Sequence, residues 1–361
     1  MLRALLFGLT LLAAGAARAH APGDAPHQRY EMGDLALESG EVIREFAISY
    51  VTHGTLNESR SNAVLMVTAL GGNHHRLDFL IGPGRALDTA KYFVICTDAI
   101  GNGLTTSPSN SRSQPRMSFP RFTVRDMVRS QYRLLTEKLG ISRVVSVVGA
   151  SMGGMQALQW GVSHPDMMDS LVALVPLGRT PAWSTGMSEL RRQAIMLDPT
   201  WNAGNYTTPP QQGMRLWAGM AAVLVRTPEA LKQQFPANRG IVSWLAEAEE
   251  SGWRRMDAND WIYQSWAYDV HDLGTTSGFG GDYYRALKSI KAKTLIMAGT
   301  GDLINPETEA LEAAQYIADA RYVRIDPELA LGHSSAMGVT APEVKRIDSE
   351  IKRFLESVTA R

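Results

Sequence analysis

Short, predominantly apolar runs alternate along this chain with longer stretches whose apolar residues recur every three to four positions. Residues 63–70 and 92–97 are of the first kind. They are too short for helices and lack the in–out alternation of half-exposed strands, so they read as strands buried on both faces of a parallel sheet. Residues 123–139 are of the second kind. Val124, Val128, Tyr132, Leu135 and Leu139 share one face, Thr123 and Asp126 form a capping box, and Gly140 stops the helix. A strand at 144–148, a helix at 153–162 and a strand at 170–177 continue the rhythm. Ahead of it, residues 20–30 read as a loose lead-in, and 35–38 and 46–52 as strands joined by a turn at Ser39-Gly40, suited to antiparallel pairing. Strand, helix and strand in succession predict an α/β fold: a mostly parallel sheet with helices on both faces.

The rhythm breaks between residues 180 and 284, a stretch of helices and loops that holds seven of the eight tryptophans. It returns with a strand at 294–298, a helix opened by Asn305-Pro306 and running to about 318, a strand at 321–325 and a last helix at 342–358. An insertion between two sheet strands predicts a helical cap over residues 180–285, with core segments at 20–179 and 286–361. Residues 1–19 read as a signal peptide: Arg3, an apolar run at 5–14, and Ala17-Arg18-Ala19 before His20. The run is short for a membrane span, so the expectation is an exported protein, periplasmic or secreted, with no stable membrane insertion.

Charge narrows the partners. Lys+Arg and Asp+Glu both number 36, and the formal net charge is zero, which offers no electrostatic pull toward nucleic acid. A small-molecule ester is the expected partner. The single cysteine, Cys96, can form no intramolecular disulfide, and its apolar neighbours predict a buried thiol. His74 and His75 are adjacent and lack a cysteine or carboxylate cluster at ligand spacing, and Gly82-Pro83-Gly84 lacks the dinucleotide fingerprint. Neither a metal nor a cofactor is expected.

The chemistry begins at Gly149-Ala150-Ser151-Met152-Gly153, which follows a valine-rich strand and opens a helix. That is the setting of a G-x-S-x-G nucleophile elbow, in which small flanking residues let the turn close tightly. A serine hydroxyl needs a base, and in this fold the acid and then the histidine follow the serine. Of the downstream histidines, His164 ends the elbow helix and His271 lies in the cap, where a solvated or structural role is expected. His333 follows the last strand and is the candidate base. Asp302 follows the strand at 294–298 and is the candidate acid, ahead of Asp326, which reads as a turn residue before Pro327. Backbone N–H groups of Met152 and Leu70 are the candidate oxyanion hole.

Residues 80–89, 123–128 and 149–160, with Arg192-Gln193-Ala194-Ile195 and Asp257-Ala258-Asn259, resemble the homoserine O-acetyltransferase family of α/β-hydrolase-fold enzymes. The resemblance implies a helical cap, a triad matching Ser151, His333 and Asp302, and a homodimer through the caps. It also implies acyl transfer from acetyl-CoA through an acyl-serine, with Arg226 matching the family's carboxylate-binding arginine. Two positions depart from the pattern: Ser334 stands where the family has an amine-holding aspartate, and Trp244 where it has a tyrosine. The sequence is therefore read first as a serine hydrolase of small carboxylic esters, esterase relatives sharing this fold, and second as an O-acyltransferase. A binding protein on an inactive hydrolase scaffold comes third.

Overall fold

A computed structural model describes residues 25–325 and 330–359. The signal-peptide reading and the competing acid Asp326 lie outside the described residues. One eight-stranded sheet runs in the order β1-β2-β4-β3-β5-β6-β7-β8. Its strands are β1 (Gln28–Ala36), β2 (Val42–His53), β3 (Ala63–Val67), β4 (Phe93–Thr97), β5 (Val144–Ala150), β6 (Met168–Leu174), β7 (Lys293–Ala298) and β8 (Ala320–Arg324). β2 pairs antiparallel with both β1 and β4, and all later pairings are parallel.

The parallel strands β3 to β7 are buried on both faces, which is why they read as largely apolar runs, whereas the edge strand β8 is partly exposed. Along β3, Leu65 and Val67 enter one hydrophobic cluster, and Val64 and Met66 enter the other. The first cluster takes in α1 (Val124–Arg133) and α2 (Met152–Ser163). Each fully buried Leu or Val side chain contributes about 1.5–3 kcal/mol.

The 180–285 segment folds as α3 (Ala182–Met196), α4 (Gln211–Leu224), α5 (Pro228–Gln234), α6 (Ile241–Gly252), α7 (Ala258–Asp269) and α8 (Tyr283–Lys288). The chain then returns through α9 (Glu307–Tyr316), and α10 (Ala341–Thr359) covers the second cluster with Ile347, Ile351, Phe354 and Leu355. Among the described residues no helix is long and apolar enough to cross a membrane.

Several boundaries differ from the sequence expectation, three of them for a visible physical reason. β1 starts at Gln28, inside the supposed lead-in: it is an edge strand with a mostly polar, exposed pattern, held by its register with β2. β6 stops at Leu174 because Val175 takes φ 42° and Pro176 has no N–H to continue the ladder. The helix from residue 124 widens to a π turn over Leu134–Lys138 before Gly140 ends it at φ 63°. Its capping box between Thr123 and Asp126 forms as the sequence suggests.

Candidate active site

Chain order reverses between β3 and β5, which lie side by side with Val67 opposite Gly149. The loops leaving these strands therefore meet at the carboxyl end of the sheet, where open α/β folds bind ligands. β5 ends at Ser151, whose φ of 58° and ψ of −123° are costly for a residue with a Cβ. Backbone bonds hold it there: its N–H donates to Leu174 O at 2.9 Å, and its carbonyl accepts from Met155 N–H at 3.0 Å. Two glycines are required by contact. A Cβ on Gly149 would strike the Gly153 carbonyl, and one on Gly153 would lie 2.5 Å from Val67 O.

His333 Nε2 lies 2.9 Å from Ser151 Oγ, and its Nδ1 lies 2.7 Å from Asp302 Oδ2. An ionised carboxylate only accepts, so Nδ1 carries the proton and Nε2 is free to accept from the serine hydroxyl. The other oxygen, Asp302 Oδ1, accepts the N–H groups of Ile304 at 2.7 Å and Asn305 at 2.9 Å. All three side chains are buried: Ser151 is 8%, His333 6% and Asp302 4% exposed. The acid and histidine loops touch directly, since a Cβ on Gly299 would run into the Gly332 carbonyl.

Met152 is the first residue of α2, so its N–H has no acceptor within the helix. Leu70 sits in a tight turn closed by Gly72 N–H on Ala69 O at 3.0 Å. Three residues that the sequence did not single out hold this loop. Gln264 of α7 accepts from Gly71 N–H at 2.9 Å while donating to Ile100 O at 3.0 Å. Asp98 accepts from His74 N–H at 3.0 Å, and Asn102 donates to Gly72 O at 3.2 Å. Only Asp98 carried a signal, its place directly after β4.

The remaining candidates are spoken for elsewhere. His164 stacks on Tyr132 with ring centroids 4.3 Å apart, and burial lowers its pKa to about 4. His271 is 3% exposed, buried rather than solvated, and burial lowers its pKa to about 3. His74 Nδ1 meets Asp98 and His75 Nδ1 meets Asp78, at 3.0 and 2.6 Å. Among the described residues no group of three or more His, Cys, Asp or Glu side chains is arranged to hold a metal. Cys96 is fully buried, which pushes its thiol pKa well up.

This arrangement has known counterparts. The profile of the alpha/beta hydrolase fold family matches residues 62–334. A curated homoserine O-acetyltransferase of Chloroherpeton thalassium is 35% identical over 304 residues, which cover 80% of this chain and 79% of that protein. The chain belongs to the homoserine O-acetyltransferase family. Two solved structures extend the comparison. An acetylester hydrolase from Corynebacterium glutamicum superposes with a TM-score of 0.84 at 29% identity, covering 92% of this chain and 96% of its own. A homoserine O-acetyltransferase from Bacillus anthracis superposes at 0.82 and 25% identity, covering 92% and 97%. The chain is accordingly an enzyme of the serine hydrolase and acyltransferase type.

This member of the homoserine O-acetyltransferase family docks the end of α4 on its histidine loop. Ser334 N–H donates to Val225 O at 2.8 Å, and Thr227 Oγ1 donates to Ala330 O. Arg226 lies between these two anchors. Its Nη1 donates to Ala222 O at 2.7 Å and its guanidinium lies 5.0 Å from the Trp244 ring centroid, while burial lowers its pKa. Ser334 Oγ is turned back onto Leu331 O at 2.7 Å. Two of the cap tryptophans, Trp217 and Trp261, meet edge to face at 5.5 Å in a cluster against which Leu70 packs.

Proposed function

We propose that this protein is an O-acyltransferase of the homoserine O-acetyltransferase type. It would take an acetyl-sized acyl group onto Ser151 and pass it to a small alcohol, with an acyl-CoA thioester as donor. Family membership supports the reaction class, and the hydrogen-bonded series Ser151–His333–Asp302 is the observation that carries it. His333 Nε2 takes the proton as Ser151 Oγ attacks the thioester carbonyl, then returns it to the leaving thiolate. Asp302 holds the imidazolium, and the N–H groups of Met152 and Leu70 receive the tetrahedral oxygen. The acceptor hydroxyl then gives its proton to His333 and attacks the acyl-serine, and His333 returns that proton to Ser151 Oγ as the acyl bond to it breaks. Arg226 is the assigned anchor for an acceptor carboxylate.

Ester hydrolysis, the first expectation from the sequence, becomes the second reading, because curated relatives above 30% identity carry acyl-transfer names. One local feature favours it. Ser334 offers an acceptor ammonium a neutral hydroxyl already bonded to Leu331 O. Losing a charge-assisted partner costs about 1–3 kcal/mol, or roughly tenfold to a hundredfold in affinity. The deciding assay follows CoA release from acetyl-CoA with and without homoserine, with product analysis. Homoserine-dependent release yielding O-acetylhomoserine supports transfer. Acetate formation unchanged by homoserine or other alcohols rejects it in favour of hydrolysis.

Pairing through the caps belongs to the same proposal. An apolar cavity of about 310 Å³, lined by Met187, Leu216, Met220, Val223 and Leu245, opens on the cap surface. Leu216 is 52% exposed there, and Leu216→Glu should shift a dimer toward monomer in sedimentation; an unchanged oligomeric state removes this face from consideration. Export would part the enzyme from cytoplasmic acyl-CoA and so favours the hydrolytic reading; it is tested by sequencing the N-terminus of the protein recovered outside the cytoplasm, where a start near His20 is expected.

A further inference from the structure

Asn305 stands in the Asn-Pro pair that opens α9, where an asparagine would ordinarily cap the helix. Its side chain does something else: the helix has Pro306 at its cap position and no side-chain cap bond. The amide is 2% exposed and engaged at both ends. Nδ2 donates to Val175 O at 2.6 Å, and Oδ1 accepts the Tyr268 hydroxyl at 2.6 Å. The backbone N–H of the same residue is one of the two donors on Asp302 Oδ1.

Each partner belongs to a different part of the site. Val175 is the residue at φ 42° where β6 turns, an unusual conformation for a β-branched side chain. The preceding residue, Leu174, supplies the carbonyl that receives Ser151 N–H. Tyr268 belongs to α7, the helix whose Gln264 holds Gly71 beside Leu70. Burial keeps the Tyr268 phenol protonated and therefore a donor. From α3, Trp183 Nε1 donates to Leu303 O and Ser184 Oγ to Ile304 O, both at 2.7 Å. The acid loop is thus tied at consecutive residues to the cap, and through one amide to the strand beside the nucleophile.

We propose that Asn305 is a positioning residue for Asp302, acting with Tyr268. By joining the Val175 carbonyl to the acid loop, it keeps both backbone donors on Asp302 Oδ1 and leaves Oδ2 aimed at His333 Nδ1. The inference rests on Ser151, His333 and Asp302 forming the working triad. It makes the cap part of the acid's support: α7 would reach the oxyanion loop through Gln264 and the acid through Tyr268.

The test uses Asn305→Ala and Tyr268→Phe in the full chain, with rates normalised to the Ser151 fraction labelled to completion by a fluorophosphonate. Misplacing a reactive group by about 1 Å can cost on the order of 100-fold, so a lost orienting bond is expected to cost roughly 10- to 100-fold. Asn305→Ala should lower kcat by that factor with KM within about threefold, and Tyr268→Phe should act in the same direction by about 3- to 10-fold. The specific signature is the acid limb of the kcat/KM profile. A carboxylate that loses its aim stabilises the imidazolium less, so the limb moves to lower pH. A merely structural role would reduce the labelled fraction or the melting temperature without moving the limb. An acid limb at the wild-type position overturns the proposal, whatever the loss in rate. If Asn305→Ala does not fold, Tyr268→Phe decides alone. Asp302→Asn is the control: if it keeps its rate, the triad reading is what has failed.

Discussion

Asparagine at position 302 preserves size and changes only what faces His333. Asp302 Oδ1 accepts two backbone N–H groups, from Ile304 at 2.7 Å and Asn305 at 2.9 Å. An amide NH₂ cannot accept them, so the amide oxygen must occupy that side and the NH₂ must take the Oδ2 place. That place is 2.7 Å from His333 Nδ1. Nδ1 must then accept, which moves the ring proton to Nε2, the atom 2.9 Å from Ser151 Oγ. The imidazole presents a donor where the reaction needs a base. Its full effect is on the order of 10⁴ in kcat, or about 5.5 kcal/mol of activation free energy. Flipping the amide would restore the tautomer but leave two buried N–H groups facing an NH₂. At about 1–3 kcal/mol each, that holds the flipped form to roughly a few per cent or less. The expected loss is therefore at least about 30-fold and as much as 10⁴-fold, with a melting temperature close to wild type because both loop bonds survive. A stopped-flow burst of p-nitrophenol from p-nitrophenyl acetate reads the acylation step directly. A well-folded variant that acylates within tenfold of wild type would refute this account of Asp302.

Three further outcomes are expected. Ser151→Ala should cost on the order of 10⁴ or more in kcat and abolish covalent labelling, since triad members act as a unit; activity within tenfold of wild type would move the nucleophile elsewhere. Gln264→Ala removes the amide from Gly71 N–H and Ile100 O, and should lower kcat by about 10- to 100-fold, short of the 10²–10³ for losing an oxyanion donor outright; an unchanged kcat would show that the Leu70 loop holds itself. His271 is buried with its pKa lowered from 6.5 to about 3, so the unfolded chain binds the extra proton and stability is lost as pH falls below 6.5. His271 accounts for about 2 kcal/mol of the loss at pH 5 relative to pH 8, and the gap between urea midpoints at the two pH values should shrink by that amount in His271→Gln, with the part due to His164 remaining.

What the sequence determined by itself was local or periodic. Apolar runs such as those at 63–67 and 92–96 mark strands because a strand buried on two faces has no polar side to show. The Thr123–Asp126 capping box forms from residues three apart, and the elbow at Ser151 needs only neighbouring glycines and the strand and helix around them. Even the pairing of Asp302 with His333 followed from order along the chain, because consecutive parallel strands deliver their loops to one end of the sheet.

The supports of that site were decided by the tertiary structure alone. Gln264 reaches Gly71 across 193 residues of sequence, and Asn305 reaches Val175 across 130. Neither residue differs in sequence from an ordinary helical glutamine or a helix-opening asparagine. Each owes its role to a buried backbone group on another segment that packing has removed from water and left in need of a partner. The burial of His271, where a solvated histidine was equally readable, has the same origin. Such demands arise only when the cap closes on the sheet, so no window of sequence contains them.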